Sequence, residues 1–337
     1  MDDSILAKFP DDDRVLGPFL GNLLPEILDV VVRKLGWFQT TFAMAGRTCR
    51  EAIERVPSTR AVLTEEEREI LHSRLTTPEE VRRLPQQQWM TPLAVAAMEG
   101  DLEALEWLMQ LFDGKGHKWR DDGGLELSLL AAARGKIASL TCLRANGCPW
   151  DEGTCANAAY EGHLEVLRWA RQNGCPRDER TCNLAAKGGH LEVLQWARQN
   201  DCPWDERTCH WAAYEGHLEV LQWARQNGCP WDDETCQYAA EGGQLEVLQW
   251  ARQNRCPWNA RTCRDAASGG HLEVLQWARQ NGCEWDKWTC SYAAGRGHLE
   301  VLQWAHQNGC PWDEETWEHA QGNCRQYLIQ HGCPGAE

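Results

Sequence analysis

Seventeen Cys and eleven His are the residues here with the most chemistry available to them. Thiolates and imidazoles ligate zinc, thiolates attack carbonyls, and paired thiols oxidise to disulfides. Spacing decides among these. Cys148, Cys175, Cys202, Cys229, Cys256, Cys283 and Cys310 recur every 27 residues. Cys155, Cys182, Cys209, Cys236, Cys263 and Cys290 recur at the same interval, with Trp317 in the seventh place. Neither row makes paired CxxC knuckles, whereas a structural zinc needs four ligands converging as a tetrahedron. Cys182, Cys209 and Cys236 therefore read as small, soft core residues. The Cys count is odd, the chain is long, and its opening, MDDSILAKFPDDDR, puts acidic residues where a secretory signal carries basic ones. We expect reduced thiols inside a cell. No GxGxxG in strand context, GxxxxGKS/T, HExxH or GxSxG occurs. Groups copied in every repeat also do not make the single convergent set that an enzyme needs, so the expectation is no catalysis, no cofactor and no metal.

Composition narrows the partners. Fifty Asp+Glu against 34 Lys+Arg give a net charge of -16, which repels phosphate backbones and anionic lipid. Neither nucleic acid nor membrane is an expected partner, and no apolar stretch approaches the length of a membrane span. With 42% hydrophobic residues and 19 Trp, the chain has the material for a folded protein.

The repeat positions all of these side chains. From Arg180 to Asp205, Thr181 to Lys187 reads as a short helix whose Ala185 and Ala186 permit close approach, stopped by Gly188 and Gly189. A second helix follows over roughly Leu191 to Asn200, with Leu191, Val193, Leu194, Trp196 and Ala197 as a broad apolar arc. Its Glu192 and Arg198 suit the two ends of the helix dipole. Asn227, Gly228 and Pro230 mark the stop in a later copy. One helix pair is too small to hold a core, so each copy must bury its faces against its neighbours.

The text TC..AA..GHLEVLQWARQNG resembles the ankyrin repeat, and Thr91-Pro92-Leu93-Ala94 with Ala96, Ala97 and Gly100 resembles its usual opening. The resemblance implies an all-α, ankyrin-type helical solenoid. That family repeats near 33 residues; the 27-residue copies are short in the connector that normally makes a projecting hairpin, a form similar to repeats in protists, algae and large DNA viruses. His163, His190, His217, His271 and His298 stand where the ankyrin pattern begins its second helix, and we expect them to satisfy local hydrogen bonds. The array is assigned to residues 91–334, with residues 335–337 as a tail. It carries an insertion at Asp113 to Gly124, a degenerate copy around Ala131, Ala132 and Gly135, and six regular copies starting at Thr154, Thr181, Thr208, Thr235, Thr262 and Thr289. The last copy, from Thr316, is atypical, as a face that meets water should be.

Residues 1–57 lie outside this period and read as a small N-terminal helical domain. LLPEILDVVVRKLG followed by AGRTCREAI resembles an F-box, with Leu24-Pro25 as the opening motif and Thr48-Cys49 as the later feature. The resemblance implies that Leu24, Pro25, Ile27, Leu28, Val31 and Leu35 form or support a surface for the adaptor subunit of a cullin ubiquitin ligase. A helical cap that merely closes the array is the alternative. Residues 58–90 read as a helical linker, with capping patterns at Thr64/Glu67 and at Thr77-Pro78-Glu79-Glu80.

Comparing the copies separates framework from candidate surface. Trp169, Trp196, Trp223, Trp250, Trp277 and Trp304 recur unchanged and serve the stack; Trp150, Trp204, Trp231, Trp258, Trp285 and Trp312 form a connector series interrupted by Arg177. The two residues after the first-helix Cys change chemically from copy to copy, as do those that end the same helix. In ankyrin proteins the first helices and connectors line the binding face. On that resemblance His210, Trp211, Tyr214, Tyr238, Arg264, Asp265 and Tyr292 are the contact set, with local packing as the alternative role. Asp and Glu beside the connector tryptophans would make an acidic rim, which suits a target protein with a basic segment. The leading expectation is a noncatalytic substrate receptor for an F-box-type cullin ubiquitin ligase; the alternative is an ankyrin-repeat binding or scaffold protein with no ubiquitin connection. The expected location is the cytoplasm, with nuclear access open, or the host-cell cytoplasm for a viral chain.

Overall fold

The computed structural model describes residues 93–94, 96–113 and 123–336. The F-box-like segment, the linker and their boundaries lie outside the described residues. Among those described, all seventeen regular elements are α-helices, and none is long and apolar enough to cross a membrane.

The chain divides into two compact bodies. The first comprises Met1–Ala131 and Lys136–Pro149. Its described part holds α1 (Leu102–Asp113), most of α2 (Gly124–Ala133) and α3 (Ile137–Ala145), with Leu105, Met109, Leu127, Leu140 and Leu143 fully buried. The second comprises Ala132–Gly135 and Trp150–Glu337 and contains the regular repeats. First helices α4 (Glu152–Tyr160), α6 (Arg180–Lys187), α8 (Glu206–Tyr214), α10 (Asp233–Glu241), α12 (Ala260–Ser268), α14 (Lys287–Gly295) and α16 (Glu314–His319) alternate with second helices. These are α5 (Leu164–Gln172), α7 (Leu191–Gln199), α9 (Leu218–Gln226), α11 (Leu245–Gln253), α13 (Leu272–Gln280), α15 (Leu299–Gln307) and α17 (Asn323–Gln330).

Local chemistry sets the helix starts. Asp205, Asp232, Asn259 and Asp286 hold extended backbone, and their side chains accept from the N–H two residues on. Each such cap is worth about 1 kcal/mol. The Ala pairs of the first helices are fully buried, and each first helix packs most closely on the first helix of the next repeat. Second helices bury a narrower stripe than the sequence suggests: in α7, Val193, Leu194 and Ala197 are buried, while Leu191 and Trp196 are half-buried.

The repeated polar residues tie one repeat to another. The histidines that precede the second helices do not cap them. His163 Nε2 donates to Ala133 O at 3.0 Å, His217 to Lys187 O at 3.0 Å, His271 to Glu241 O at 2.9 Å and His298 to Ser268 O at 2.9 Å. Only an N–H can donate to a carbonyl, so Nε2 carries the proton. Each acceptor closes the preceding first helix, where helical carbonyls lack an internal partner. These bonds therefore reach back 30 residues and are not local, as the sequence reading had them. Gln244, standing where the others have His, donates to Tyr214 O at 3.3 Å. The connector cysteines act similarly. The thiols of Cys175, Cys202, Cys229, Cys256, Cys283 and Cys310 lie 3.2–3.4 Å from carbonyls just before the preceding first helix.

An aromatic ladder runs along the connectors. The Arg198 guanidinium lies 4.2 Å over Trp204, which meets Trp223 edge-on at 6.0 Å. The same arrangement joins Arg225, Trp231 and Trp250, then Arg252, Trp258 and Trp277, then Arg279, Trp285 and Trp304. Cation–π and edge-to-face contacts of this kind contribute about 0.5–1.5 kcal/mol each. Arg177 breaks the series: Arg171, Arg177 and Trp196 line a cavity of about 10 Å³, and Arg177 Nη1 is buried without a partner.

The histidine seam also explains an invariant glycine. Gly243 has φ +74°, and a Cβ there would lie 2.6 Å from the His271 ring. Gly228, after a second helix, has φ +83° but open space around it, and its counterparts Asp201 and Arg255 carry side chains at positive φ. Gly243→Ala is therefore expected to lower stability by clearly more than Gly228→Ala, which carries only backbone strain of about 1–2 kcal/mol. Thermal unfolding of both variants measures the difference; equal losses would remove the ring contact as the reason for glycine.

Candidate recognition surface

The two residues after each first-helix Cys point different ways. The first, at Ala156, Asn183, His210, Gln237 and Ser291, is buried and serves the seam with the next repeat. Asn183 Oδ1 accepts from the buried Thr208 hydroxyl at 2.6 Å, and Ser291 Oγ lies 3.3 Å from Thr316 Oγ1. Where Ala156, His210, Gln237 or Arg264 stands, the matching hydroxyl of Thr181, Thr235, Thr262 or Thr289 is buried without a partner. The variation at this position therefore adjusts inter-repeat bonding. His210 moves accordingly from the outer face to the seam, where its Nε2 donates to Asp232 Oδ1 at 2.7 Å and its ring stacks on Tyr238 at 5.2 Å.

The second residue of each pair, including Leu184, Trp211, Tyr238, Asp265 and Tyr292, is half-buried or exposed. Trp211, Tyr214 and Tyr238, from α8 and α10, meet as one cluster. Trp211 is edge-on to Tyr214 at 6.1 Å and tilted to Tyr238 at 5.8 Å, and the two tyrosines are edge-on at 6.2 Å. Lys187, from the end of α6, places Nζ 4.1 Å over the Trp211 ring. A second group lies on α12 and α14. Arg264 donates to Asp265 Oδ1 at 3.0 Å and lies 5.2 Å over Tyr292, which is edge-on to Trp288 at 6.4 Å.

Residues 209–252 and 263–306 match the family model for ankyrin repeats in many copies. The fold is an ankyrin-type helical solenoid. No curated protein matches the chain. An ankyrin-type solenoid is a protein–protein interaction module and is characteristically non-catalytic. Its first helices here carry the side chains that differ from repeat to repeat.

Acidic and basic groups crowd together on this strip of the ankyrin-type array. Burial pushes the Asp265 carboxyl upward, with Arg264 opposing. Burial and the neighbouring Asp265 raise Glu241, opposed by Arg296 and Arg264. The Tyr214 hydroxyl is raised by burial and then by Glu241 and Glu215. The sequence reading omitted Lys187, Glu215, Glu241 and Trp288 from the contact set. The signal for Trp288 was available: the same place holds Gly153, Arg180, Arg207, Glu234 and Arg261 in other repeats.

Metal-ligand chemistry has one candidate among the described residues. His210, Asp232 and Glu234 bring one nitrogen and two carboxylates within 4.8 Å of one another. Asp232 Oδ1 already accepts from His210 and from the Glu234 N–H at 3.1 Å, so the group is a hydrogen-bonded clasp between α8 and α10. The sixteen described cysteines are buried thiols outside any disulfide. Burial pushes Cys148 up to about 12. Cys182, Cys209, Cys236, Cys263 and Cys290 are raised by their hydrogen bonds to the connector cysteines and by burial. Their partners Cys202 and Cys283 are lowered by the same bonds, against burial, whereas thiols held protonated are poor nucleophiles and poor ligands. Leu24, Pro25, Ile27, Leu28, Val31 and Leu35 lie outside the described residues.

If the first position of each pair belongs to the seam, Asn183→Ala should destabilise the chain by about 1–3 kcal/mol by orphaning the Thr208 hydroxyl. Urea unfolding and binding of a partner protein, measured together, separate the roles: a loss of binding without a loss of stability would return Asn183 to the recognition surface.

Proposed function

We propose that the chain is a noncatalytic binding or scaffold protein that holds a target protein along the outer strip of its first helices. One observation carries this reading. Within a framework copied from repeat to repeat, the chemical variety that does not serve the seams lies at half-buried and exposed first-helix positions, where Trp211, Tyr214 and Tyr238 gather. A few well-packed side chains dominate binding energy in protein interfaces, and these are enriched in Trp, Tyr and Arg. The second helices, by contrast, repeat LEVLQWARQ with few changes, so they offer the same chemistry at every step and discriminate little.

Hydrogen exchange on the full chain, with and without a captured protein, tests this. Protection is expected over α8 and α10, and Trp211→Ala with Tyr238→Ala should weaken capture at least tenfold while helical content is kept. Protection confined to the second helices would reject the reading.

A finer reading rests on LLPEILDVVVRKLG and AGRTCREAI. In it the N-terminal segment joins the adaptor subunit of a cullin ubiquitin ligase, and the array supplies substrate choice through proximity. The scaffold reading requires less and is the one we favour. Copurification of the full chain with a recombinant adaptor subunit, lost on Leu24→Ala with Pro25→Ala, would establish the receptor. No binding by the folded full chain would leave the scaffold.

A further inference from the structure

We propose that Trp211, Tyr214 and Tyr238, flanked by the carboxylates of Glu215 and Glu241, form a subsite for a cationic side chain, Lys or Arg, on a basic segment of the bound protein. This rests on the reading of the array as protein-binding.

The ring geometry is the first support. Three aromatic rings with centroids 5.8–6.2 Å apart and interplanar angles of 51–80° turn their faces in different directions. A π-face attracts cations electrostatically. The chain shows this on the same ring: the Lys187 ammonium rests 4.1 Å over Trp211. Along the same first-helix strip, Arg264 lies over Tyr292 and the Lys287 ammonium lies over Trp288. Aromatic faces on this strip are thus repeatedly matched to positive charge.

The carboxylates are the second support. Glu215 and Glu241 are exposed, end the helices that carry the cluster, and lie close enough to act on the Tyr214 hydroxyl. Asp265 of the next repeat adds to the negative field at Glu241, and Arg296 and Arg264 oppose it. An acidic or phosphorylated segment would be repelled here, and the net charge of -16 extends that repulsion. A cation gains from both the rings and the carboxylates. Lys187 then has a second role, because it covers one face of Trp211 with the chain's own charge and competes with the incoming one.

The competing account is local packing between α8 and α10 on an acidic protein that attracts any basic peptide. A labelled peptide of alternating Lys and Gly, titrated against the full chain by fluorescence anisotropy at low and raised salt, separates the two. We expect Glu215→Gln with Glu241→Gln to weaken binding roughly tenfold, by the removal of two nearby charges. Trp211→Leu, which keeps an apolar side chain but removes the π-face, should weaken it about threefold. Lys187→Ala should tighten binding about threefold, an outcome that lost packing cannot give. Glu192→Gln with Glu219→Gln, exposed on the second helices, is the control for charge alone. An equal loss in that control, unchanged binding in Trp211→Leu, or weaker binding in Lys187→Ala would overturn the proposal. Circular dichroism on each variant confirms that the fold is kept. Should a captured target be indifferent to all three subsite variants, the subsite falls and the array remains a binding surface. Should protection on capture avoid the first helices, the binding reading falls while the peptide titration stands on its own.

Discussion

The first helices α6, α8, α10 and α12 end on carbonyls that their own turns cannot satisfy, and the donor comes from the repeat that follows. His163, His217, His271 and His298, with Gln244 in the same role, reach back to the last residue of the preceding first helix. That single bond fixes much else. The ring must pass close to the turn it serves, which leaves no room for a Cβ at Gly189, Gly243 or Gly270. The first helices must lie close together, which their buried Ala pairs allow. The connector thiols complete the seam by reaching the start of the preceding first helix while the histidines reach its end. A repeat of this size thus has no private polar account to settle, and stability resides in pairs of neighbours.

The architecture was legible because repetition exposes what each copy requires. Ala pairs, turn glycines and the LEVL stripe gave two helices and their order. The bonding partners were not legible, since a period shows that Cys175 or His217 recurs but not that its partner lies 24 or 30 residues away. Reading each copy by itself assigned the histidines to local bonds and left the thiols as soft filling. A polar residue that recurs on no apolar stripe needs a recurring partner in the adjacent copy, and that inference was available from the sequence. The split at the changing pair was harder to see. Helix positions one apart point about 100° away from each other, so His210 enters the seam while Trp211 stays at the surface, and variation alone does not distinguish them.

The departures from repetition differ in kind. Arg177 interrupts the aromatic ladder and leaves a buried guanidinium nitrogen without a hydrogen-bond partner. His306, standing where earlier repeats have Arg, stacks on Trp312 at 3.6 Å and accepts or donates through Nδ1 to the Tyr327 hydroxyl at 2.9 Å, so the ladder continues with different chemistry. Trp211, Tyr214 and Tyr238 depart together, on neighbouring helices and on the outer side. Departures that cluster on an accessible strip point to recognition more strongly than a scattered defect does.

The seams beneath that strip differ in strength. Thr208 and Thr316 have hydroxyl partners in the preceding repeat. Thr181, Thr235, Thr262 and Thr289 do not, and the last three mark consecutive seams that join the helices carrying Trp211, Tyr238, Asp265 and Tyr292. An orphaned buried hydroxyl costs about 1–3 kcal/mol, of the same order as one good inter-repeat contact. The clasp of His210 with Asp232 offsets this at the α8–α10 seam by a charge-assisted bond, and Gln237 spends its amide on Asp233 of its own helix. In a solenoid such differences stay local, because each repeat touches only its neighbours. The strip richest in recognition chemistry therefore lies over seams that each leave a buried hydroxyl without a partner, and a partner spanning α8 to α14 would add cohesion across their outer face.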